Sequence, residues 1–339
     1  MAELEKKYGF PLFTRPTNNV YLGNSKKLII SDIWAFWDYI IKKNNFEKDF
    51  MNSLLEQAKN FYVAAENSPL KSKPLLYYYS FLNLAKVIVN IERSYGKTGC
   101  IYVHGIGEKH LNKFSHSTIT IAEKKTHVKN VACELQEALD FKIITASTTI
   151  NLKDYLTNCV GIHRAYSEIY NIDEVFVRLG SFKLYKDIKI LRSVVKIYCD
   201  AQQSLKLIAL GYNIVLEDDI YYWKEEITMP AYIPTRADYF NLSQVLRKKG
   251  IWYFIGNEGY TAYLSTHLTC RDSPETIIYN TMFFLGSITR YHPYMFDKIF
   301  SDREQWLMSE FLETQPKQFI YLATAKILGQ NVLKAYSSF

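Results

Sequence analysis

The residues from Lys73 to Arg93, KPLLYYYSFLNLAKVIVNIER, form a long and nearly uncharged stretch. Pro74 suits the first position of a helix, and the polar residues that follow recur at helical spacing. They lie along one narrow stripe, at Ser80, Asn83, Lys86 and Asn90. The remaining surface of such a helix is Leu, Tyr, Phe, Ile and Val. A helix that is apolar on nearly every side belongs inside a larger body or in a membrane.

The membrane alternative conflicts with Asn83 and Lys86 near the centre of the stretch, and its length only just reaches the roughly 20 residues that a span needs. The pattern therefore predicts a buried central helix over residues 74–92, with its tyrosines finding polar partners at the edge. A chain of 339 residues, 48% of them hydrophobic and 22% charged, can supply the core that this helix requires.

Charge and cysteine content narrow the class of protein. The formal net charge is +7, but Lys and Arg are spread along the chain, so contact with phosphates is permitted rather than required. The five cysteines are odd in number and form no CxxC motif, which argues against a disulfide framework or a cysteine zinc site. Residues 1–30 lack the apolar core of a secretory signal. We expect a cytoplasmic protein that does not enter a membrane.

Hydrophobic periodicity divides the chain into three parts. Helical spacing dominates residues 1–110 after an irregular or edge-strand beginning, alternating and β-branched segments dominate residues 111–265, and helical spacing returns in residues 266–339. This order predicts an α+β fold, in which mainly helical N- and C-terminal parts surround a strand-rich middle section. The C-terminal helices are expected to pack on the first part.

The middle section carries the strand predictions. Residues 173–186 predict two strands joined at Gly180 and Ser181, residues 141–148 predict another strand, and residues 252–265 predict a hairpin. The segment 187–211 fits both the helical and the strand period, and we prefer a helix.

Capping signals predict the helices at either end of the chain. Ser31 and Asp32 cap a first helix, and a second covers about residues 46–66. Near the C-terminus, Ser273 and Pro274 start a helix that ends before Pro293. Two further helices are predicted. One begins at a capping box formed by Ser301 and Glu304, and the other begins at Pro316.

The run EQAKNFYVAAENSPLKSKPLLYYYSFLNLAK is followed by the pair His104-Gly105, by HVKNVACEL and much later by TRYHP. In this order the motifs resemble the YaaC-like family of bacterial proteins, over nearly the whole chain. Within them, YYSFLNLAKVIVNI with a histidine a short loop later is similar to the helix and loop of HEPN-type helical domains. That similarity implies a HEPN-like helical core, an association with RNA or nucleotides, and a role in defence against phage.

The chain departs from the HEPN ribonuclease motif, which places an Arg four to six residues before a His on one helix. No Arg has that spacing before any of the seven histidines. The nearest substitutes are Arg290 with His292, and Lys97 before His104. Residues two apart on a helix point in different directions, so Arg290 and His292 converge only if the helix has ended, as Pro293 permits.

The candidate catalytic residues are therefore His104, Arg290 and His292. If the protein is an enzyme, it is a ribonuclease in which either histidine transfers the proton and Arg290 stabilises the charge on the phosphate.

Other chemical motifs are weak or absent. His104, His110 and His116 converge on a metal only if their segment is looped, and turn or surface histidines are the simpler interpretation. Two acidic patterns, Asp173 with Asp187 and Lys189, and the run 217–219, fit chance and a solvated turn better than a metal site. The motifs GxxxxGK[ST], GxGxxG and GxSxG do not occur. The sequence predicts no metal and no cofactor.

Basic residues interleaved with aromatic ones suggest contact with nucleic acid, because cations bind phosphates and rings stack on unpaired bases. The aromatic partners are Tyr166, Tyr185, Trp252 and Tyr253. The candidate nucleic-acid-binding residues are Lys86, Arg93, Lys97, Arg164, Lys183, Lys186, Arg247, Lys248 and Lys249.

These observations predict a nucleic-acid-associated or partner-binding component of a bacterial system, with anti-phage defence as its setting. Its partner would be RNA, DNA, another protein or a second copy of the chain. Two alternatives stay open, a HEPN-like metal-independent ribonuclease and a non-catalytic structural subunit of a protein complex.

Overall fold

The computed structural model describes residues 2–4, 11–17, 20, 27–44, 48–93, 101–111, 113–125, 128–256, 259–301 and 303–335. The helices in this part of the chain are α1 Ile33–Lys43, α2 Lys48–Glu66, α3 Lys73–Arg93, α4 Val131–Asp140, α5 Leu152–Leu156, α6 His163–Tyr170, α7 Ala201–Ala209, α8 Arg236–Arg247, α9 Pro274–Tyr291, α10 Pro293–Ser301 and α11 Glu304–Leu328. The strands are β1 Ala2–Leu4, β2 Lys27–Ile30, β3 Tyr102–Val103, β4 Ile106–Lys109, β5 Thr118–Ile121, β6 Lys129–Asn130, β7 Thr148–Asn151, β8 Phe176–Asp187, β9 Ile190–Tyr198, β10 Ile214–Glu217, β11 Ile220–Thr228, β12 Trp252–Gly256, β13 Gly259–Ser265 and β14 Asn331–Lys334.

The predicted central helix is confirmed, because α3 is buried along most of its length among α2, α4, α9 and α11. Its polar stripe faces neighbouring elements. The Ser80 hydroxyl donates to the Ala58 carbonyl of α2 at 2.7 Å, and the Asn90 amide donates to the Tyr102 hydroxyl of β3 at 2.9 Å. Both polar side chains therefore avoid the cost of burial without a partner.

The C-terminal helices α9 and α11 pack against α3. Phe81 of α3 and Phe319 of α11 have ring centroids 4.2 Å apart, and Trp37 of α1 donates from its indole nitrogen to the Thr324 hydroxyl at 3.0 Å. One hydrophobic core contains Trp37, Trp223 and Phe319, which belong to the three predicted parts of the chain. The boundaries between these parts stay a prediction.

The middle section contains an antiparallel sheet in the order β10-β11-β9-β8-β13-β12, with β1 on the second half of β8. Helix α8 packs on β9 and β11. The predicted turn at Gly180 and Ser181 is wrong. These residues form an irregularity between Leu179 and Phe182 in one continuous strand, because a bulge can absorb extra residues without ending the ladder.

The structure divides the ambiguous segment 187–211. Helix is wrong for residues 190–198, which form β9 between β8 and β11, and is confirmed for residues 201–209, which form α7. Asp200 begins α7 with a capping box to Gln203. The strand predicted for residues 141–148 is also wrong, since β7 begins only at Thr148.

The hairpin of β12 and β13 is confirmed, and Trp252 lies opposite Tyr263 as expected. The predicted C-terminal helix starts are partly wrong. Ser273 and Pro274 do start α9, but Ser301 ends α10, and Pro316 lies inside α11 rather than at the start of a helix. Burial on both sides of Pro316 outweighs the roughly 3 kcal/mol that an interior proline costs.

The fold class is α+β, as predicted. Besides the large sheet, β14 and β2 form a parallel pair, β3 and β6 form another, and β4-β5-β7 form an antiparallel sheet. Among the described residues, none of the helices combines the length and apolarity required to cross a membrane.

Candidate functional site

The crossing of α3 and α9 positions the predicted catalytic residues. Ser273 caps α9, and Pro274 occupies its first turn, so the helix axis is set well before the crossing. A Cβ atom built on Gly286 would lie 2.9 Å from the Cβ atom of Tyr78. Because only glycine permits this approach, Tyr78 and Tyr79 come to lie beside the C-terminal turns of α9.

His104 follows β3 and contacts this crossing. Its Nδ1 atom is hydrogen-bonded to the Tyr78 hydroxyl, and its ring centroid lies 6.2 Å from that of Phe283 on α9. Burial and then the positive charges of Lys86 and Arg290 lower the pKa of His104 from its ordinary 6.5. The imidazole is consequently neutral at neutral pH, although the residue is exposed.

The contact with Tyr78 leaves Nε2 as the nitrogen that can meet a ligand. Burial raises the pKa of Tyr78 well above its ordinary value, so its hydroxyl stays protonated. With Tyr78 as the donor, Nε2 carries a hydrogen and can donate to an anion. With Nδ1 as the donor, Nε2 has a lone pair that can accept a proton.

Arg290 lies in the last turn of α9. Its guanidinium donates to the Tyr79 hydroxyl, and its Cζ atom lies 4.9 Å from the centroid of the Tyr291 ring. The helix ends at Tyr291, and His292 is the C-cap with φ −137° and ψ 55°. The condition for Arg290 and His292 to converge, that the helix has ended, is therefore met.

The His292 ring lies against the ring of His110. The two ring centroids are 3.9 Å apart. Strand β4 is held to α9 just before this pair, because the Ser287 hydroxyl donates to Glu108 at 2.6 Å. Contacts with α9 thus fix both His104, before β4, and His110, after it.

Two exposed tyrosines follow Arg290 closely along the chain. Tyr291 is 60% exposed and Tyr294 is 70% exposed. The ammonium of Lys298 lies 4.7 Å from the centroid of the Tyr294 ring. We define the histidine–tyrosine surface as His104, His110, Arg290, Tyr291, His292 and Tyr294. Sequence analysis missed both tyrosines, although the motif TRYHP includes one and precedes the other.

The structure does not gather the other predicted nucleic-acid-binding cations into one site. Three of them form ion pairs: Arg164 with Glu168 at 3.3 Å, Lys183 with Glu3 at 3.4 Å, and Lys249 with Glu225 at 3.2 Å. Lys186 lies in β8 opposite Ala2 of β1, and Lys248 is exposed after α8. The Arg93 side chain and Lys97 lie outside the described residues.

Two of the predicted cations have distinct surroundings. Arg247 donates to the carbonyls of Leu12 at 2.7 Å and Thr14 at 3.3 Å, so it binds backbone in the interior. Lys86 lies 5.7 Å from the centroid of the Tyr102 ring, and burial lowers the pKa of its ammonium. Of these two residues, only Lys86 contributes to the lowered pKa of His104.

The rings predicted to stack on bases are mostly buried. Tyr166 is 3% exposed, Trp252 is 4% exposed and Tyr253 is 3% exposed. A base cannot reach a ring that is packed in the core, so stacking at these three positions is wrong. Trp252 and Tyr253 of β12 pack in the hydrophobic core.

No group of three or more His, Cys, Asp or Glu side chains within the described ranges is arranged to hold a metal ion. The acidic run 217–219 forms the turn between β10 and β11, where Asp218 and Asp219 have φ values of 47° and 60°. These left-handed values suit a tight hairpin turn. The interpretation of this run as an exposed turn is confirmed.

Sequence analysis missed a second polar site, which lies inside the molecule. The Lys326 side chain is 1% exposed, and its ammonium pairs with both Asp140 and Glu275, at 3.0 Å from the latter. Nearby, Arg15 pairs with the buried Glu92. A cavity of about 330 Å³ adjoins Asp140 and Lys326. No local signal could reveal this site, because Lys326 and Asp140 are 186 positions apart.

The fold and the surface together define an α+β protein with a buried central helix and an exposed patch of histidine, tyrosine and arginine. Comparison with known protein families shows which family the chain belongs to. The family model described as YaaC-like protein matches residues 21–327, and the chain belongs to this family. No curated protein and no solved structure matched the chain.

Proposed function

We propose that this YaaC-like protein binds single-stranded nucleic acid, with RNA as its main ligand, on the histidine–tyrosine surface. The observation that carries the proposal is the placement of two exposed tyrosine rings beside cations, Tyr291 against Arg290 and Tyr294 against Lys298. Exposed rings stack on unpaired bases, and neighbouring cations bind the phosphates between them. A single-stranded nucleic acid could therefore use both kinds of group.

The sequence around α3 supports the same function. It is similar to the helix and loop of HEPN-type domains, many of which handle RNA and some of which act against phage. On this basis we propose that the protein acts in a bacterial defence system. To test that setting, bacterial cells that carry the wild-type gene or an Arg290→Ala gene are infected with phage and their survival is compared.

Binding is tested with fluorescently labelled single-stranded RNA, single-stranded DNA and duplex DNA over a series of salt concentrations. Truncation of a stacking ring costs about 1–3 kcal/mol, so Tyr294→Ala should weaken the binding of single strands roughly 5- to 150-fold. Arg290→Ala should also reduce the slope of log K against log salt by about 0.7 if it removes one phosphate contact.

Tyr232→Ala is the matched control. Tyr232 is 62% exposed and has the Lys189 ammonium 5.5 Å from its ring centroid, but it follows β11 and lies outside the histidine–tyrosine surface. Equal loss of binding in Tyr232→Ala and Tyr294→Ala would contradict the proposal. A protein that binds none of the three nucleic acids at low salt would instead favour a structural subunit that recognises another protein.

Cleavage of RNA without a metal is a second candidate function, favoured by the state of His104. The lowered pKa keeps the His104 ring neutral at neutral pH, and in the tautomer whose Nδ1 donates to Tyr78 the Nε2 lone pair can act as a general base. The Arg290 guanidinium lies close enough to contribute to that lowered pKa. His292 would serve as the second proton-transfer group. Single-turnover cleavage in EDTA should then fall at least 100-fold in His104→Gln and in His292→Gln. Binding without cleavage by the wild-type protein would remove this candidate and leave the first.

A further inference from the structure

The cavity beside Asp140 and Lys326 has a lining that is richer in hydrogen-bond donors than in acceptors. It lies among the C-terminal end of α4, the C-terminal end of α8, β12 and the segment before α9. Its volume of about 330 Å³ is within the range of small-molecule sites. Five cationic side chains and two carboxylates line it: Lys142, Arg247, Lys248, Arg271 and Lys326, with Asp140 and Asp272.

The two carboxylates already have several donors each. Asp140 pairs with Lys326 and accepts hydrogen bonds from the hydroxyls of Ser273 at 2.6 Å and Thr276 at 3.2 Å. Asp272 accepts from three donors: Lys142 Nζ at 2.6 Å, Gln136 Nε2 at 3.0 Å and the Tyr155 hydroxyl at 3.0 Å. A ligand that offers donors would therefore have little to bind.

The donors, in contrast, retain capacity. The buried Nε2 atom of Gln244 has no hydrogen-bond partner within the described part of the chain. Arg271 donates to the carbonyls of Lys248 and Leu210, both at 3.2 Å, and a guanidinium has five N–H groups. Lys248 is exposed at the same edge, so its ammonium is accessible to a ligand. The cavity thus favours a ligand that supplies acceptor oxygens and negative charge.

Phe141 adds a flat apolar wall. It is the C-cap of α4 with φ 57°, a left-handed conformation that is costly for a bulky residue and that clusters at functional sites. Phe240 holds its ring edge-to-face at 4.9 Å, and the Arg247 guanidinium lies 5.7 Å from its centroid. The Arg15 guanidinium also lies 4.9 Å from that centroid. The ring lines the cavity and is only partly buried, so its accessible part can contact a ligand.

We propose that this cavity binds a small anionic ligand that carries a flat ring and has the size of a mononucleotide. Its anionic group would lie near Arg271 and Lys248, within reach of the unpaired Gln244 amide, and its ring would lie against Phe141. This site is separate from the histidine–tyrosine surface. It would give the protein a small-molecule ligand in addition to the proposed single-stranded nucleic acid.

The test uses isothermal titration calorimetry of the full chain with AMP, GMP, CMP and UMP, and with adenosine and inorganic phosphate as partial ligands. At least one nucleoside monophosphate should bind, and both partial ligands should bind at least tenfold more weakly. Absence of binding by all four monophosphates at millimolar concentration would overturn the proposal. Phosphate that binds as tightly as the monophosphates would overturn the part that concerns the ring.

Variants identify the site. Lys248→Ala and Arg271→Ala, both at exposed positions, should each weaken monophosphate binding about tenfold, and Phe141→Leu should weaken monophosphate binding but leave phosphate binding unchanged. Lys206→Ala on the exposed side of α7 is the control for lost charge. Tyr294→Ala should bind monophosphates like the wild type. If Tyr294→Ala no longer binds monophosphates and Arg271→Ala still binds them, the ligand lies on the histidine–tyrosine surface and the cavity proposal is wrong.

Discussion

Lys326 is the residue that balances the buried charges of the interior. Its side chain is 1% exposed, and its ammonium pairs with the carboxylates of both Asp140 and Glu275. A lysine in such a position is stabilising only while its partners are present, because each ion has lost its hydration. Removing the cation leaves two buried carboxylates without the ammonium that pairs with both of them, although the hydroxyls of Ser273 and Tyr253 still donate to them.

We expect Lys326→Met to lower the free energy of unfolding by about 3–5 kcal/mol. The measurement is urea unfolding at pH 7. Lys142→Met is the matched control, because Lys142 also pairs with a carboxylate, that of Asp272, but its side chain is 56% exposed. Although Asp272 is 7% exposed, water screens the exposed Lys142 ammonium, so its loss should cost about 0–1 kcal/mol. Equal losses in the two variants would show that the burial of Lys326 is unimportant.

His104 should make stability depend on pH. Its pKa is lowered below 6.5 in the folded protein by burial, Lys86 and Arg290, so the unfolded chain binds the proton more readily. The contribution of His104 to the free energy of unfolding should therefore be complete above about pH 6.5. It should decrease as the pH falls through and below that value. His163, whose pKa burial also lowers, contributes in the same direction.

Urea unfolding at pH 7.5 and pH 5.5 checks this dependence. His104→Gln should show a smaller decrease between the two pH values than the wild type, while His116→Gln, at an exposed position outside the α3–α9 crossing, should not. An unchanged decrease in His104→Gln would mean that another group controls it.

At the scale of elements, the approach of α3 to α9 determines the geometry of the histidine–tyrosine surface. The hydroxyls of Tyr78 and Tyr79 contact His104 and Arg290 because Gly286 allows the two helices to meet. A methyl group at position 286 would lie 2.9 Å from Tyr78 Cβ and 3.3 Å from the Pro74 carbonyl oxygen. Neither atom belongs to the flexible end of a side chain, so the helices themselves must separate.

Gly286→Ala should therefore lower the free energy of unfolding by about 1–3 kcal/mol, the usual cost of overpacking. It should also shift the NMR signals of the His104 ring, since the contact with Tyr78 lengthens. Gly107→Ala in β4 is the control, because a Cβ atom there meets no described heavy atom within 4 Å. A Gly286→Ala protein as stable as the control would show that the crossing tolerates a larger separation.

For the molecule as a whole, one hydrophobic core joins the helical ends to the strand-rich middle. Trp37 and Trp223 are both fully buried in it, one in α1 and the other in β11. Parts that share a core lose their packing together. We predict a single cooperative unfolding transition.

The measurement compares two proteins that each keep one of these tryptophans as a fluorescence reporter, with the other tryptophans replaced by phenylalanine. The midpoints in urea should agree with each other and with that obtained by far-UV circular dichroism. Separate midpoints would show that residues 1–110 and 111–265 unfold as independent domains, and the same comparison tests those boundaries.

The sequence alone determined the central helix, the caps of α1 and α9, the hairpin of β12 and β13 and the α+β class, because these depend on hydrophobic spacing and on capping groups close in the chain. It also identified His104, Arg290 and His292 as residues of interest, whose catalytic role stays a prediction. Periodicity failed where packing outweighed local preference. Residues 190–198 form a strand because β8 and β11 lie on either side, and Pro316 stays within α11 because burial compensates for its missing hydrogen bond.

Only the tertiary structure decided which side chains meet. The pairs of His104 with Tyr78, His110 with His292, and Lys326 with Asp140 join distant parts of the chain. It also decided which aromatic residues face solvent, since Trp252 and Tyr294 look alike as ring-bearing residues beside cations, yet one is 4% and the other 70% exposed. The physical reason is that burial depends on all the elements packed around a residue, whereas a sequence pattern records only its neighbours along the chain.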